Sequence, residues 1–350
     1  MIRIGKHIIG AGEPTFIVAE AGVNHNGDLE RAKELVIKAA EAGASAVKFQ
    51  TYKAARLVTK TAPRFWNWDG EEIPSGTQYD SYSQLDKLPL DAYYEIAETC
   101  RRHNIEFLST PFDEESADFL TEELDMQAIK VSSSDLTNIP FLKYLAKKQL
   151  PMIVSTGAAT LGEIEEAVNT IENEGNEKII ILHCTLCYPT EAKDANLKII
   201  GTLETIFPRY PIGLSDHTIG ITIPIAAVAF GAKVIEKHYT IDKTLLKSAD
   251  HWLSVDPPEL KAMVNNIRLV ELASGSGEKK VLDVEQVTYK YDRRSIVAAK
   301  DIPKGTIIRE DMLVMKRPGT GIPPKFIDLI IGRKAKKDIK EDTLLPWDDI

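Results

Sequence analysis

The sequence predicts an α/β fold, a (β/α)8 barrel of the TIM type, and three observations carry that prediction. About eight apolar runs recur between residues 16 and 238, helix-like segments separate them, and each run is continuous rather than alternating. Continuous runs mark parallel strands buried on both faces, and a regular strand-helix alternation of this length closes into a barrel. A doubly wound open sheet is the structural alternative, but its glycine fingerprint is missing here.

Taken in order, residues 1–15 hold two short β-type runs, IRIG and HIIG, which read as a hairpin ahead of the barrel. The strand-like runs follow at 16–20, 45–50, 105–110, 127–132, 151–156, 179–184, 211–216 and 233–238. Among the helices, residues 29–42 place Leu29, Ala32, Leu35, Val36, Ala39 and Ala40 on one face before a Gly43 stop. Thr160 with Glu163 three residues on is a capping-box pattern, and Ile164, Ala167, Val168 and Ile171 then line the inner face. A last helix-like run covers residues 259–273. The connection spanning residues 52–90 is long and holds Phe65, Trp66, Trp68, Tyr79 and Tyr82, which suggests a lid or a packed surface excursion.

The barrel domain is expected over residues 1–275, a polar linker over 276–293 and a second domain over 294–350. That second domain carries a weak internal repeat, AKDIPKGTIIREDM at 299–312 and KKDIKEDTLLPWDD at 336–349, offset by 37 residues. Each copy reads as strand, turn and strand. Neither buries its apolar side alone, so the two are expected to pack as a small β-clip.

A net charge of -9 argues against nucleic acid, whose phosphates need a basic face. No apolar run approaches the roughly 18 residues of a membrane helix, and MIRIGKHIIG lacks a signal-peptide core, so a cytoplasmic enzyme is expected. Cys100, Cys184 and Cys187 are too few for a disulfide framework, and the Cys184/Cys187 CxxC has no second pair to make a zinc site.

Barrel chemistry sits at the C-terminal ends of strands. There the sequence offers Glu20; Lys48 and Gln50; Thr110; Lys130 and Ser133; Ser155; Tyr188; Ser215, Asp216 and His217; and Glu236, Lys237 and His238. A lysine inside a buried strand needs a partner. Lys48 and Lys130, in register with a ring of hydroxyls, describe a site for a small phosphorylated acid, although each could instead pair with a core carboxylate. His217 and His238 end neighbouring strands and suit a divalent cation with open positions, with Glu20 and Asp250 as nearby carboxylates.

The phrases IVAEAGVNHNGD, AVKFQT, FLSTPFD, IKVSSSD, STGAATLGEIEEA, HCTLCYPT, GLSDHT, IEKHYT and ADHWLSVDP resemble the sialic acid synthase family, and RRSIVAAKDIPKG with KRPGTGI resembles its C-terminal antifreeze-like (SAF) domain. The resemblance spans essentially the whole chain and includes the legionaminic and pseudaminic acid synthases and the spore-coat polysaccharide branch. It implies condensation of phosphoenolpyruvate with an N-acetylated amino sugar aldehyde, N-acetylmannosamine or a dideoxy relative, giving a nonulosonic acid and phosphate. Carried over by position, phosphoenolpyruvate contacts fall on Lys48, Thr110, Lys130, Ser133, Ser155 and Ser215, and metal ligands for Mn2+ or Mg2+ on His217 and His238. Sugar contacts fall on Glu20, Gln50, Phe112, Asp135, Tyr188 and Asp250, and Glu20 or Asp135 is a candidate proton carrier. Arg317 matches an arginine lent by one subunit to its partner, which implies a domain-swapped homodimer.

Two positions depart from the family pattern: Leu186 stands where an asparagine is common, and Asp135 where several members have glutamate. Both bear on which amino sugar is used. A 3-deoxy sugar acid synthase is the alternative by fold analogy, but that group lacks the fused C-terminal domain. A non-enzymatic binding protein is suggested only by the SAF-like tail.

Overall fold

The computed structural model describes residues 1–66, 76–245 and 250–350. Within these it forms two compact units, Met1–Gly275 and Ser276–Ile350.

The first unit opens with the antiparallel hairpin of β1 (Ile2–Ile4) and β2 (His7–Ile9), turning at Gly5 with φ +51°. Ile4 and Ile9 are buried in the main core, and Lys6 donates to the Asn104 carbonyl at 2.7 Å, so the hairpin lies at the N-terminal end of the strands. The strands follow as β3 (Phe16–Gly22), β4 (Ala46–Thr51), β5 (Glu106–Pro111), β6 (Ile129–Val131), β7 (Met152–Ser155), β8 (Ile179–Cys184), β9 (Ile212–Asp216) and β10 (Val234–His238). All eight are parallel in the order β5-β4-β3-β10-β9-β8-β7-β6. β5 and β6 pack side by side at the seam, so the sheet curls into a nearly closed barrel, as the apolar runs foretell. The Ile- and Val-rich strands are buried almost throughout, which is the physical basis of their continuous hydropathy.

The helices meet the sequence expectations closely. Leu29–Ala42 starts on the Asp28 side chain, which accepts from the Arg31 amide, and stops where Gly43 takes φ +88°. Leu161–Asn173 has the Thr160/Glu163 capping box and buries the expected apolar face. Pro257–Ser274, capped by Asp256, starts two residues before the expected run. Residues 52–90 are not one long loop. They hold the short helix Ala54–Leu57 and the helix Gln78–Leu85, the second started by a Thr77/Asp80 capping box that no apolar period announces. Trp66, Tyr82, Tyr52 and Phe112 meet in successive edge-to-face ring contacts of 5.7–5.8 Å. Trp68 lies outside the described residues.

In the second unit the expected linker region contains the helix Gln286–Tyr291. β11 (Ser295–Ala298) and β12 (Leu313–Lys316) pair antiparallel. The internal repeat is expressed differently from a strand-turn-strand in each copy: residues 336–349 contribute isolated bridges, Ile302 to Ile339 among them, rather than a ladder of their own. Ile302 and Ile339, 37 positions apart, exchange both backbone hydrogen bonds, at 2.8 and 2.9 Å. Asp301 accepts from the Glu341 amide and Asp338 from the Lys304 amide, at 2.8 and 2.7 Å. The offset of 37 is therefore a local pseudo-two-fold, in which each copy closes the turn of the other.

Candidate active site

Parallel strands deliver their last residues to one end, and the polar residues at those positions meet there. Lys48 on β4 is buried with its Nζ 2.5 Å from Glu20 Oε2 on β3 and 3.1 Å from Thr110 Oγ1 on β5. Lys130 on β6 donates to Ser155 Oγ on β7 at 2.7 Å and to the Val131 carbonyl at 2.9 Å. Between the two lysines stands Glu236 of β10, whose Oε1 is 3.8 Å from each ammonium and accepts from Ser215 Oγ of β9 at 3.1 Å.

The charges of this group follow from burial and from one another. Burial pushes Glu20 up to about 7, with Glu236 adding to the rise and Lys48 opposing it. Burial works against Glu236 as well, but Lys130, Lys48 and Ser215 outweigh it and hold the carboxyl below its ordinary range. Lys48 goes up against its own burial because Glu20 and Glu236 flank it, whereas burial and the Lys48 charge bring Lys130 down. With Glu20 able to take a proton near neutrality, the cluster can carry a net positive charge in a place that excludes water.

Each lysine thus has a carboxylate neighbour, as the alternative in the sequence analysis allowed. Glu236 is visible in the sequence as a strand-end residue, without a role. The available signal was its parity with His238, two residues on and therefore on the same strand face.

His217 and His238 stand beside this cluster with ring centroids 5.3 Å apart. His217 Nδ1 is 2.9 Å from the Thr185 carbonyl. A carbonyl only accepts, so Nδ1 carries the proton and Nε2 the lone pair. Burial lowers both histidines, His238 well below its usual range with the nearby His217 adding to the effect, so both are neutral imidazoles. Two neutral imidazoles, that of His217 with its tautomer fixed, fit a divalent cation. Among the described residues no three His, Cys, Asp or Glu side chains gather as a ready-made metal cage, so the fit is that of a two-histidine site with open positions.

The sugar-side candidates surround the same opening. Asp250 Oδ2 lies 3.5 Å from His238 Nδ1, and burial raises its carboxyl to about 6. Gln50 Nε2 donates to Glu20 Oε1 at 3.2 Å. Gly22, where β3 bulges against β4, takes φ +52°, a conformation that strains most other residues, and a Cβ there would also come 3.3 Å from Glu20 Oε1, tighter than ordinary packing. Tyr188, in a cis peptide with Pro189, lays its ring 4.1 Å from that of His217.

Ser133 Oγ accepts from the Gly157 amide at 3.0 Å. Gly157 has room for no side chain, since a Cβ would fall within 3.1 Å of Ser133, Cys184 and the departing Leu186. Asp135 is half-buried; burial raises its carboxyl, while Asn138, which bonds it at 3.2 Å, and Lys130 pull the other way. Phe112 meets the Tyr52 ring. Cys184 is buried and Cys187 exposed, both free, so their CxxC forms no bridge. Arg317 belongs to the second unit, where its guanidinium pairs with Asp292 at 2.6 Å.

Residues 35–279 match the NeuB family model and residues 293–350 the SAF domain. The chain is 44% identical over 345 residues to N,N'-diacetyllegionaminic acid synthase of Legionella pneumophila, covering 97% of this chain and 96% of that one. It is 37% identical over 342 residues to the human N-acetylneuraminate-9-phosphate synthase, covering 95% and 92% respectively. Among solved structures it resembles the N-acetylneuraminic acid (sialic acid) synthetase of Leptospira borgpetersenii in complex with citrate, with a TM-score of 0.72 at 36% identity, over 82% of this chain and 94% of that one.

Proposed function

This chain belongs to the NeuB family, and we propose on that basis that it condenses phosphoenolpyruvate with an open-chain N-acetylated amino sugar, giving a nonulosonic acid and phosphate. The observation that carries the proposal is the buried pair Lys48 and Lys130, each bonded to a strand-end hydroxyl and both facing Glu236. Such a group suits a small acid bearing a phosphate and a carboxylate. Ser133, Ser155 and Ser215 complete the phosphoenolpyruvate side. Glu20, Gln50, Phe112, Asp135, Tyr188 and Asp250 face the sugar, N-acetylmannosamine or a dideoxy relative.

The enol carbon attacks the sugar aldehyde, water adds to the carbon bearing the phosphate, and the phosphate leaves with its bridging oxygen. The lysines hold the acid so that the reacting carbons meet in an attack geometry. Glu20, with its carboxyl near 7, is poised to take a proton from that water at neutral pH. His217 and His238 would hold a divalent cation, Mn2+ or Mg2+, which when bound supplies Lewis acidity toward the aldehyde. Phosphate release from phosphoenolpyruvate should depend on the added sugar, stop on chelation and return with Mn2+. An absence of release with every N-acetylated hexosamine and dideoxy analogue tried would overturn the proposal.

Arg317 is proposed to reach the partner's active site in a homodimer. Replacing it by Ala should raise the KM for sugar about 10- to 150-fold, the usual cost of one lost charged contact of about 1.5–3 kcal/mol, while the circular dichroism stays that of the parent. Unchanged sugar kinetics would refute a lent arginine. Among the described residues no helix is long and apolar enough to cross a membrane. Both reactants are small polar metabolites, and we place the reaction in the cytoplasm.

A further inference from the structure

Strand alternation puts Ser215 and His217 of one segment, and Glu236 and His238 of the next, on the active-site face. The residues between them, Asp216 and Lys237, therefore point the other way, into the layer between barrel and helices where apolar side chains pack. Both are nonetheless charged and buried, Lys237 at 0% exposure. They sit opposite each other in the β9–β10 register, with Lys237 Nζ 2.7 Å from Asp216 Oδ2. Lys237 also donates to the Thr218 carbonyl, and Thr218 returns two bonds to Asp216, from its amide to Oδ1 at 3.2 Å and from Oγ1 to Oδ2 at 2.9 Å.

A buried ion pair is weak support for stability, since an apolar pair of similar volume is often as good or better. Its geometry suggests a different role. Three residues are tied in one knot: Asp216 and Thr218 flank His217, and Lys237 precedes His238. The His217 carbonyl is held separately by the Thr190 amide at 3.0 Å, and its ring by the Thr185 carbonyl. The backbone on both sides of His217 is thereby fixed to the strand that ends in His238.

We propose that Asp216, Lys237 and Thr218 form a clamp behind the barrel wall that sets the spacing and orientation of the His217 and His238 imidazoles. These are positioning residues: none of the three faces the reactants. The proposal rests on the assignment of those histidines to a divalent cation; groups that hydrogen-bond a ligand directly typically change metal affinity 10- to 100-fold, and a clamp that acts through the neighbouring backbone is expected at the lower end of that range.

The test is the paired substitution Asp216→Asn with Lys237→Met, which removes both buried charges together and so leaves neither one uncompensated. The metal-free variant, labelled with 15N at histidine, should show His217 as a mixture of tautomers where the parent shows the Nδ1–H form alone, and its Mn2+ affinity by calorimetry should fall about tenfold or more. Thr218→Val keeps the ion pair and removes one bond of the knot, and serves if the paired variant does not fold. It should weaken Mn2+ several-fold at the parent's Tm. Parent-like Mn2+ affinity in the folded variants overturns the clamp. A parent that binds no Mn2+ refutes the cation assignment instead, and the His217 tautomer then decides the clamp alone: one form in every variant overturns it.

Discussion

Replacing Lys48 by Met should lower kcat/KM for phosphoenolpyruvate by about 10²–10³-fold, the usual cost of removing one preorganised charged donor from a dry site, about 2.7–4 kcal/mol. Met matches the length of the stem and fills the same strand position without the ammonium. What it leaves behind is the decisive part. Glu20 loses a cation 2.5 Å away and Glu236 one at 3.8 Å, and breaking a buried pair ordinarily costs about 3–5 kcal/mol because a charge is stranded. Here Glu20 has an escape, since its carboxyl already stands near 7 and takes a proton once the lysine is gone. The variant should therefore fold, with a lower Tm at high pH than at low pH. Adding Glu20→Gln should flatten that difference without restoring turnover. A kcat/KM within tenfold of the parent would remove Lys48 from the phosphoenolpyruvate site.

The barrel was legible because its signal is local. A strand buried on both faces must be apolar along its whole length, and the polar residue that ends it marks the mouth, so Glu20, Lys48, Thr110, Lys130, Ser155, Ser215, His217 and His238 could all be placed from the chain alone. What could not be placed depends on contacts across the sequence. Glu236 becomes the shared partner of two lysines only when β10 is set between β3 and β9. On a strand buried on both sides, hydropathy does not say which residues point inward, and so Glu236 and Lys237 look alike in IEKH although they face opposite ways.

The same limit explains the misread segments. The helices within residues 52–90 are short, and neither is announced by an apolar stripe: Gln78–Leu85 starts on a capping box and Ala54–Leu57 on no side-chain cap at all, so composition alone suggests a loop. The helix Gln286–Tyr291 buries no residue, and a polar helix is indistinguishable from a polar linker by pattern. In the second unit the 37-residue repeat was visible, but its meaning was not. Ile302 and Ile339 pair with each other, and that pairing is a property of the fold rather than of either copy.

Replacing either His217 or His238 by Ala should abolish bound metal and reduce condensation to background. With two imidazoles and no third protein side chain gathered among the described residues, each histidine would supply half of the protein's hold on the proposed ion. Removing one leaves a single neutral nitrogen, which cannot retain Mn2+ through gel filtration. The two variants should differ in their side effects. Ala at 217 leaves the Thr185 carbonyl with the Thr190 hydroxyl as its one remaining side-chain donor, at 3.2 Å, and the Tyr188 ring without its neighbour at 4.1 Å, so that loop should loosen. Ala at 238 instead removes the ring nitrogen that lies 3.5 Å from the Asp250 carboxyl. Metal content after gel filtration is the measurement, with phosphate release alongside. A full complement of metal in both variants would refute the site. Lost turnover with metal retained would move these histidines from the ion to the sugar aldehyde, where a neutral imidazole N–H can still donate a hydrogen bond.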